Sequence, residues 1–171
     1  MKSLVDRLAS YAEYHRDKRN IATHFVGIPM ILVGTQATLA KIGIGPINLA
    51  VGATALATRY YRGLDPQYGA AMAAVLGATC ALGTAIAAMP MPLWAGTAGG
   101  LFVGGWALQF VGHYFEGRKP AFLDDIKGLL DGPLFLVAEL AFALGLSPEL
   151  REEVEDRAGP THWGKLAAAA A

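Results

Sequence analysis

Charge is the first thing this sequence lacks. No Asp, Glu, Lys or Arg occurs from Pro66 through Phe115, in a chain of 171 residues that is 54% apolar and only 16% charged. A soluble domain of this size has little interior in which to hide such a run. About 20 residues cross the hydrocarbon core of a bilayer as a helix, so two crossings fit within it. Cysteine is nearly absent as well. The single Cys80, in an Ala/Gly-rich stretch, excludes an internal disulfide framework and a cysteine-based zinc cluster and reads as a small packing residue. Neither sign of charge is in excess, with 14 basic and 14 acidic residues, and no basic stripe interleaved with aromatics points to nucleic acid. Residues 1–20 carry charges from Lys2 to Arg19 without an apolar stretch, so no cleavable signal peptide is expected and the first apolar span should insert intact.

What is present reads as an all-α, polytopic membrane helix bundle. Leu4, Leu8, Tyr11, Tyr14, His15 and Lys18 line one side of an amphipathic helix expected over residues 3–19, and Asn20 is placed to cap the next helix. Four transmembrane spans are expected at about 21–40, 42–58, 67–88 and 93–115. They are separated by Lys41, by Arg59 and Arg62 with Gly63 and Pro66, and by Met89-Pro-Met-Pro92. A shorter apolar segment, 129–146, carries Asp131 and Glu139 and reads as a fifth crossing, a re-entrant piece or an interfacial helix. Residues 1–146 therefore make up the membrane-embedded domain, and 147–171 a polar, then Ala-rich tail containing a surface helix and a loose end. Many Gly residues, as in Gly99-Gly100 and Gly104-Gly105, should let helices approach closely.

Lys and Arg cluster before the first span, between the second and third, and after the fourth, with only Lys41 in the other turns. Positively charged short loops stay cytoplasmic, so four crossings with both ends inside satisfy this distribution. That arrangement makes the chain a multi-pass membrane protein with His15, Asn20, His24, His113 and Glu116 together on the cytoplasmic side. The membrane is the inner one for a bacterial source, toward which the brevity and Ala/Gly richness lean, and the endoplasmic reticulum for a eukaryotic one.

Three of the four histidines thus gather at one membrane face. Residues nine apart on an unbroken helix lie on opposite faces, so His15 and His24 can share a site only across a break, for which Asn20 is the natural place. Gln109, His113 and Glu116, at i, i+4 and i+7, share one face without any break. Imidazoles with a carboxylate suit zinc or non-haem iron, and spacing does not separate the two. Set against this, a histidine at a membrane interface is often only a polar anchor. His162, in Gly-Pro-Thr-His-Trp, is read as a fourth ligand closing over the site or as a residue of the tail. Two other functions fit the same residues: a proton-coupled transporter relaying through His24, His113, Glu116 and Glu139, and a non-catalytic membrane scaffold.

The pattern Tyr14-His15, Asn20, His24, Gly27 and Pro29, written YHxxxxNxxxHxxGxP, is followed by Gln109, Gly112-His113, Phe115-Glu116, Arg118, Pro120-Ala121, Pro133, Phe135 and Glu139. Over about residues 5–145 this resembles the Mpo1-like family. The resemblance implies an iron(II)-dependent dioxygenase of fatty acid α-oxidation that converts a long-chain 2-hydroxy fatty acid and O₂ to a fatty acid one carbon shorter. It implies Fe2+ bound by His15, His24 and His113, with His162 a further candidate. Glu116 would be a further ligand or would orient a ring N–H, and Asn20 and Gln109 suit that second role. Arg19 and Arg118, among the basic residues at the mouth, would face the fatty carboxylate or serve as cytoplasmic anchors. The acyl tail would lie among the apolar spans, reached from membrane lipid.

Overall fold

Ser3 opens the first helix, α1 (Leu4–Ala12), through a capping box: its hydroxyl accepts from Asp6 N–H and the Asp6 carboxylate accepts from Ser3 N–H. The computed structural model describes residues 3–44, 47–123 and 125–164, and all structural statements concern these. After α1 come α2 (Lys18–Leu39), a short antiparallel pair β1 (Gly43–Ile44) and β2 (Ile47–Asn48), α3 (Leu49–Leu64), α4 (Pro66–Ala87) and α5 (Met91–Glu116). A single 3₁₀ turn (Ala121–Leu123) leads to α6 (Gly128–Ala143) and α7 (Pro148–Ala158).

The expected break between His15 and His24 exists, but it lies earlier than Asn20. Helix α1 stops at Ala12, and α2 begins at Lys18 under a cap made by Asp17, whose carboxylate accepts from Arg19 N–H and whose carbonyl accepts from Ile21 N–H. Asn20 is inside the first turn of α2, with its side chain free for other work. The span expected at 42–58 is also displaced. Gly43 at φ +150 and the strand pair occupy its start, and Asn48 caps α3 by accepting from Val51 N–H.

Two helices are long and apolar enough to cross a membrane, α2 and α4, at 22 residues each. The 16 residues of α3 rise about 24 Å, short of the roughly 30 Å core. The 26 residues of α5 are long enough, but Gly96, Gly99, Gly100, Gly104, Gly105 and Gly112 dilute their apolarity. Helix α6 alone is short, and it joins α7 at a bend of 118° as a broken span or re-entrant loop, a third crossing if each such pair counts as one.

Contacts divide the chain into two compact units, Gly27–Ala107 and the pair of segments Met1–Val26 and Leu108–Ala171. In the first, α3 packs along α4, and small residues bring α2 against α4 and α5. A Cβ at Gly105 would stand 2.7 Å from Gly27 O, and one at Gly34 would stand 2.8 Å from Ala98 O, so both helix contacts require glycine. Gly99 and Gly100 take no part, because a Cβ on either meets open space. In the second unit, α1 packs on α6 and α7 around Leu8, Ala12, Phe135 and Val154. A buried Arg7–Asp131 ion pair, 3.0 Å, ties α1 to α6.

Candidate metal centre

The second unit brings His15, His24 and His113 together. All three are buried, His15 and His24 completely, and each offers a ring nitrogen within 4.8 Å of the others. Among the described residues they form the one cluster of potential ligands that could hold a metal ion. His15 comes from the link between α1 and α2, His24 from the second turn of α2, and His113 from the last turn of α5.

Hydrogen bonds set the tautomers of two of these rings. His15 Nδ1 lies 2.8 Å from Tyr11 O, and His24 Nδ1 lies 2.9 Å from Asn20 O. A carbonyl only accepts, so each Nδ1 carries the proton and each Nε2 keeps its lone pair. The two Nε2 atoms face one another at 3.1 Å. Two lone pairs at that distance repel unless a cation lies between them. The spacing is that of two nitrogens held near a right angle by metal bonds of about 2.1 Å. His113 adds a third donor: its Nδ1 is buried without a hydrogen-bond partner. The residues present therefore fit a metal ion through three imidazoles. Burial, reinforced by the neighbouring His24 and His113 rings, holds the His15 imidazole well below its ordinary pKa.

The surroundings fix the rings in place. Tyr11 stacks flat on His15 at 4.1 Å between centroids, and Phe135 tilts against both. Burial pushes the Tyr11 hydroxyl pKa up. Gly112 permits the close approach of α5 to α2, since a Cβ there would collide with Asn20 Oδ1 and Thr23 Oγ1 and press on His24 Nδ1 at 3.1 Å. Tyr11, Phe135 and Gly112 were not among the site residues expected from the sequence. A signal for Tyr11 existed in its position four residues before His15, where its carbonyl faces the ring.

Glu116 is close to the cluster but is committed elsewhere. Its carboxylate accepts from Arg16 N–H (3.0 Å), Asp17 N–H (2.9 Å) and the Asn20 side-chain amide (3.0 Å). It thus pins the link that carries His15 to the end of the helix that carries His113. Asn20 also donates to Tyr14 O, and its own backbone carbonyl holds both His24 Nδ1 and the Thr23 hydroxyl. Gln109 is buried one turn before His113, and its amide nitrogen has no partner.

The remaining expected residues are placed differently. His162 is outside the cluster; its backbone pairs with the chain around Asp17, and its Nδ1 lies against Gly164 O. Arg19 is held by Asp17 at 2.6 Å and covers the Phe115 ring, while Arg118 donates to Glu13 O at 2.7 Å beside the Tyr14 ring. Asp17 is in turn held below the ordinary carboxylate range, chiefly by the Arg19 side chain. A polar cavity of about 480 Å³ opens beside Glu116, lined by Glu13, Arg16, Arg118, Arg157 and His162.

Helices apolar enough for a membrane and a buried cluster of three histidines that could hold a metal ion define the chain as a helical, membrane-associated protein with a candidate metal site. Comparison with known proteins gives the particular family. Residues 1–144 match the family described as 2-hydroxy-palmitic acid dioxygenase Mpo1-like. The chain is 31% identical over 155 residues to the 2-hydroxy-palmitic acid dioxygenase MPO1 of Saccharomyces cerevisiae, covering 89% of this chain and 87% of the yeast protein. The chain belongs to the Mpo1-like family. No solved structure matches it.

Proposed function

We propose that this chain is an Fe(II)-dependent dioxygenase of fatty acid α-oxidation, converting a long-chain 2-hydroxy fatty acid and O₂ to the acid one carbon shorter, with CO₂ and water. The observation that carries the reading is the pair of facing Nε2 lone pairs from His15 and His24, completed by His113. Family membership supplies the substrate class, since the yeast relative is named for 2-hydroxypalmitic acid. His15, His24 and His113 would hold the iron, which when bound would supply a Lewis-acid and redox centre for the reaction of a 2-hydroxy acid with O₂, the electrons coming from the substrate.

The chain's own residues do the rest. Tyr11 O and Asn20 O keep His15 and His24 in the tautomer that presents Nε2 to the centre. Glu116 acts as an anchor for the His15 link, because three N–H groups already occupy its oxygens. Gln109, with its buried amide N–H unpaired, is positioned to donate to an oxygen of the bound hydroxy acid. Tyr11 and Phe135 keep water from that side of the centre. Arg118 at the polar cavity supplies positive charge for the carboxylate during entry, in preference to Arg19, which Asp17 already neutralises. Glu139, which a proton relay would need, is paired with Arg16 at 3.4 Å, and this favours the enzyme over a transporter.

In this reading the chain crosses the membrane four times through α2, α3, α4 and α5, the short α3 doing so by local thinning of the bilayer with Arg59 and Arg62 reaching the interface, and both ends and the histidine site are on the cytoplasmic side. Cysteine labelling on a Cys80→Ala background checks the topology: positions near Arg19, Arg62 and Arg118 should label from the cytoplasm, and Met91 should not. The reaction is checked by metal analysis of anaerobically purified protein together with O₂ uptake. Stoichiometric iron and uptake with 2-hydroxypalmitate but not palmitate are expected, since only the former chelates through hydroxyl and carboxylate. Equal turnover of palmitate, or activity persisting with zinc in place of iron, overturns the assignment.

A further inference from the structure

The link that carries His15 is held from two sides, and only one of them lies within the residues matched to the family, which end at 144. Every backbone group of this link that faces away from the helices has a partner. Glu116 takes the N–H groups of Arg16 and Asp17. On the opposite side, His162 N–H donates to Arg16 O at 2.8 Å, and Lys18 N–H donates to His162 O at 2.8 Å, forming a parallel bridge. The approach begins at Gly159, which ends α7 at φ +80, a conformation that favours glycine. Its carbonyl accepts from Arg16 Nη1 at 2.8 Å. Arg16 itself is buried, reaches Ala12 O and His15 O through Nε, and pairs with Glu139. Glu13, Tyr14 and His15 turn back onto α1, their N–H groups reaching Ala9 O, Tyr11 O and Ala12 O, but the N–H groups of Arg16 and Asp17 make no such bonds. Without Glu116 and residues 159–162 these last two residues of the link would sample many conformations, and the join that sets His15 Nε2 against His24 would loosen.

We infer that residues 159–162 are a strap that positions His15 in the metal centre, acting through the backbone of His162 and the carbonyl of Gly159, with the His162 imidazole dispensable. The inference rests on the three-histidine reading above. It makes His162 a positioning residue whose ring is not a ligand.

The test uses the full-length chain with His162→Ala, which keeps the backbone bridge and removes the ring, beside His162→Pro, which removes the N–H given to Arg16. His162→Ala should hold Fe(II) within about twofold of wild type, and His162→Pro should bind it about 10- to 100-fold more weakly, the range for loss of a group that orients a ligand. Cobalt(II)-loaded protein gives a second readout: its visible bands, set by ligand geometry, should shift in the proline variant alone while helical circular dichroism is unchanged. Equal iron affinity in the proline variant and wild type overturns the strap. So does an alanine variant as weak as the proline variant, which would make the ring a ligand. Wild-type protein that takes up no metal would sink the dioxygenase reading and leave the strap to be judged on hydrogen exchange at Lys18. Bound to His162 O, that amide should be protected in wild type and exchange at least about tenfold faster in His162→Pro; exchange at the rate of an open loop in wild type overturns the inference, as it also does if the proline variant fails to fold.

Discussion

Replacing Glu116 by glutamine should weaken iron binding with little loss of overall fold. The carboxylate accepts three hydrogen bonds at 2.9–3.0 Å, two from the backbone beside His15 and one from Asn20. Hydrogen bonds to a charged acceptor contribute about 1.5–3 kcal/mol each. Glutamine with its oxygen at the Oε2 position keeps the bonds from Asp17 and Asn20 as weaker, neutral ones and turns its NH₂ toward Arg16 N–H, so one bond is lost and two lose about 1–1.5 kcal/mol each, a gross cost of about 3–6 kcal/mol by the same scale. Glu116 lines an open polar cavity, and water entering it replaces part of what is lost. A net cost of about 2–3 kcal/mol remains, and since about 1.4 kcal/mol is tenfold, Fe(II) affinity should fall about 30- to 150-fold. Anaerobic titration of detergent-purified protein measures the affinity, and thermal melting of the metal-free protein reports on the fold. Unchanged affinity with turnover abolished would refute the reasoning, because the carboxylate would then be acting on the substrate and not on the His15 link.

Alanine at His15, His24 or His113 should each remove most of the bound iron, read by metal analysis, while the protein remains folded in membranes; a triple variant that keeps stoichiometric iron sinks the site. Gly112→Ala should cost about 1–3 kcal/mol of overpacking, offset in part by the roughly 1 kcal/mol that alanine gains over glycine in a helix, and should lower iron affinity more than thermal stability because the new Cβ presses on Asn20, Thr23 and His24. Arg7→Met removes one side of the Arg7–Asp131 ion pair and should destabilise, seen as a lower melting temperature, whereas Arg7→Met with Asp131→Leu should recover part of the loss. If the double variant melts as low as the single, the ion pair is not the source of the effect.

Much of the helical framework was legible before any coordinates. The uncharged run from Pro66 to Phe115 and its interruption at Met89-Pro-Met-Pro92 place α4 and α5 to within a few residues, because apolar length and helix breakers are local properties of a sequence. The requirement for a break between His15 and His24 followed from helical geometry alone, and so did the shared face of Gln109 and His113. The location of the break did not, because Asp17 and Asn20 are both able to cap a helix. Asp17 does so here, its carboxylate accepting from Arg19 N–H, while Glu116, about a hundred positions along the chain, draws the Asn20 side chain away. The partners of Glu116 and His162 were equally hidden. Spacing along the chain does not reveal that a carboxylate near three histidines accepts from three N–H groups, and a histidine whose main chain bridges to Arg16 and Lys18 leaves no signature in its side chain. Sequence by itself pointed to the three histidines that gather in a cluster able to hold a metal ion, and to segments apolar enough for a membrane. Only the tertiary structure decided which polar groups face the centre and which serve to hold it, since hydrogen bonds between distant segments depend on how the chain closes and not on spacing along it.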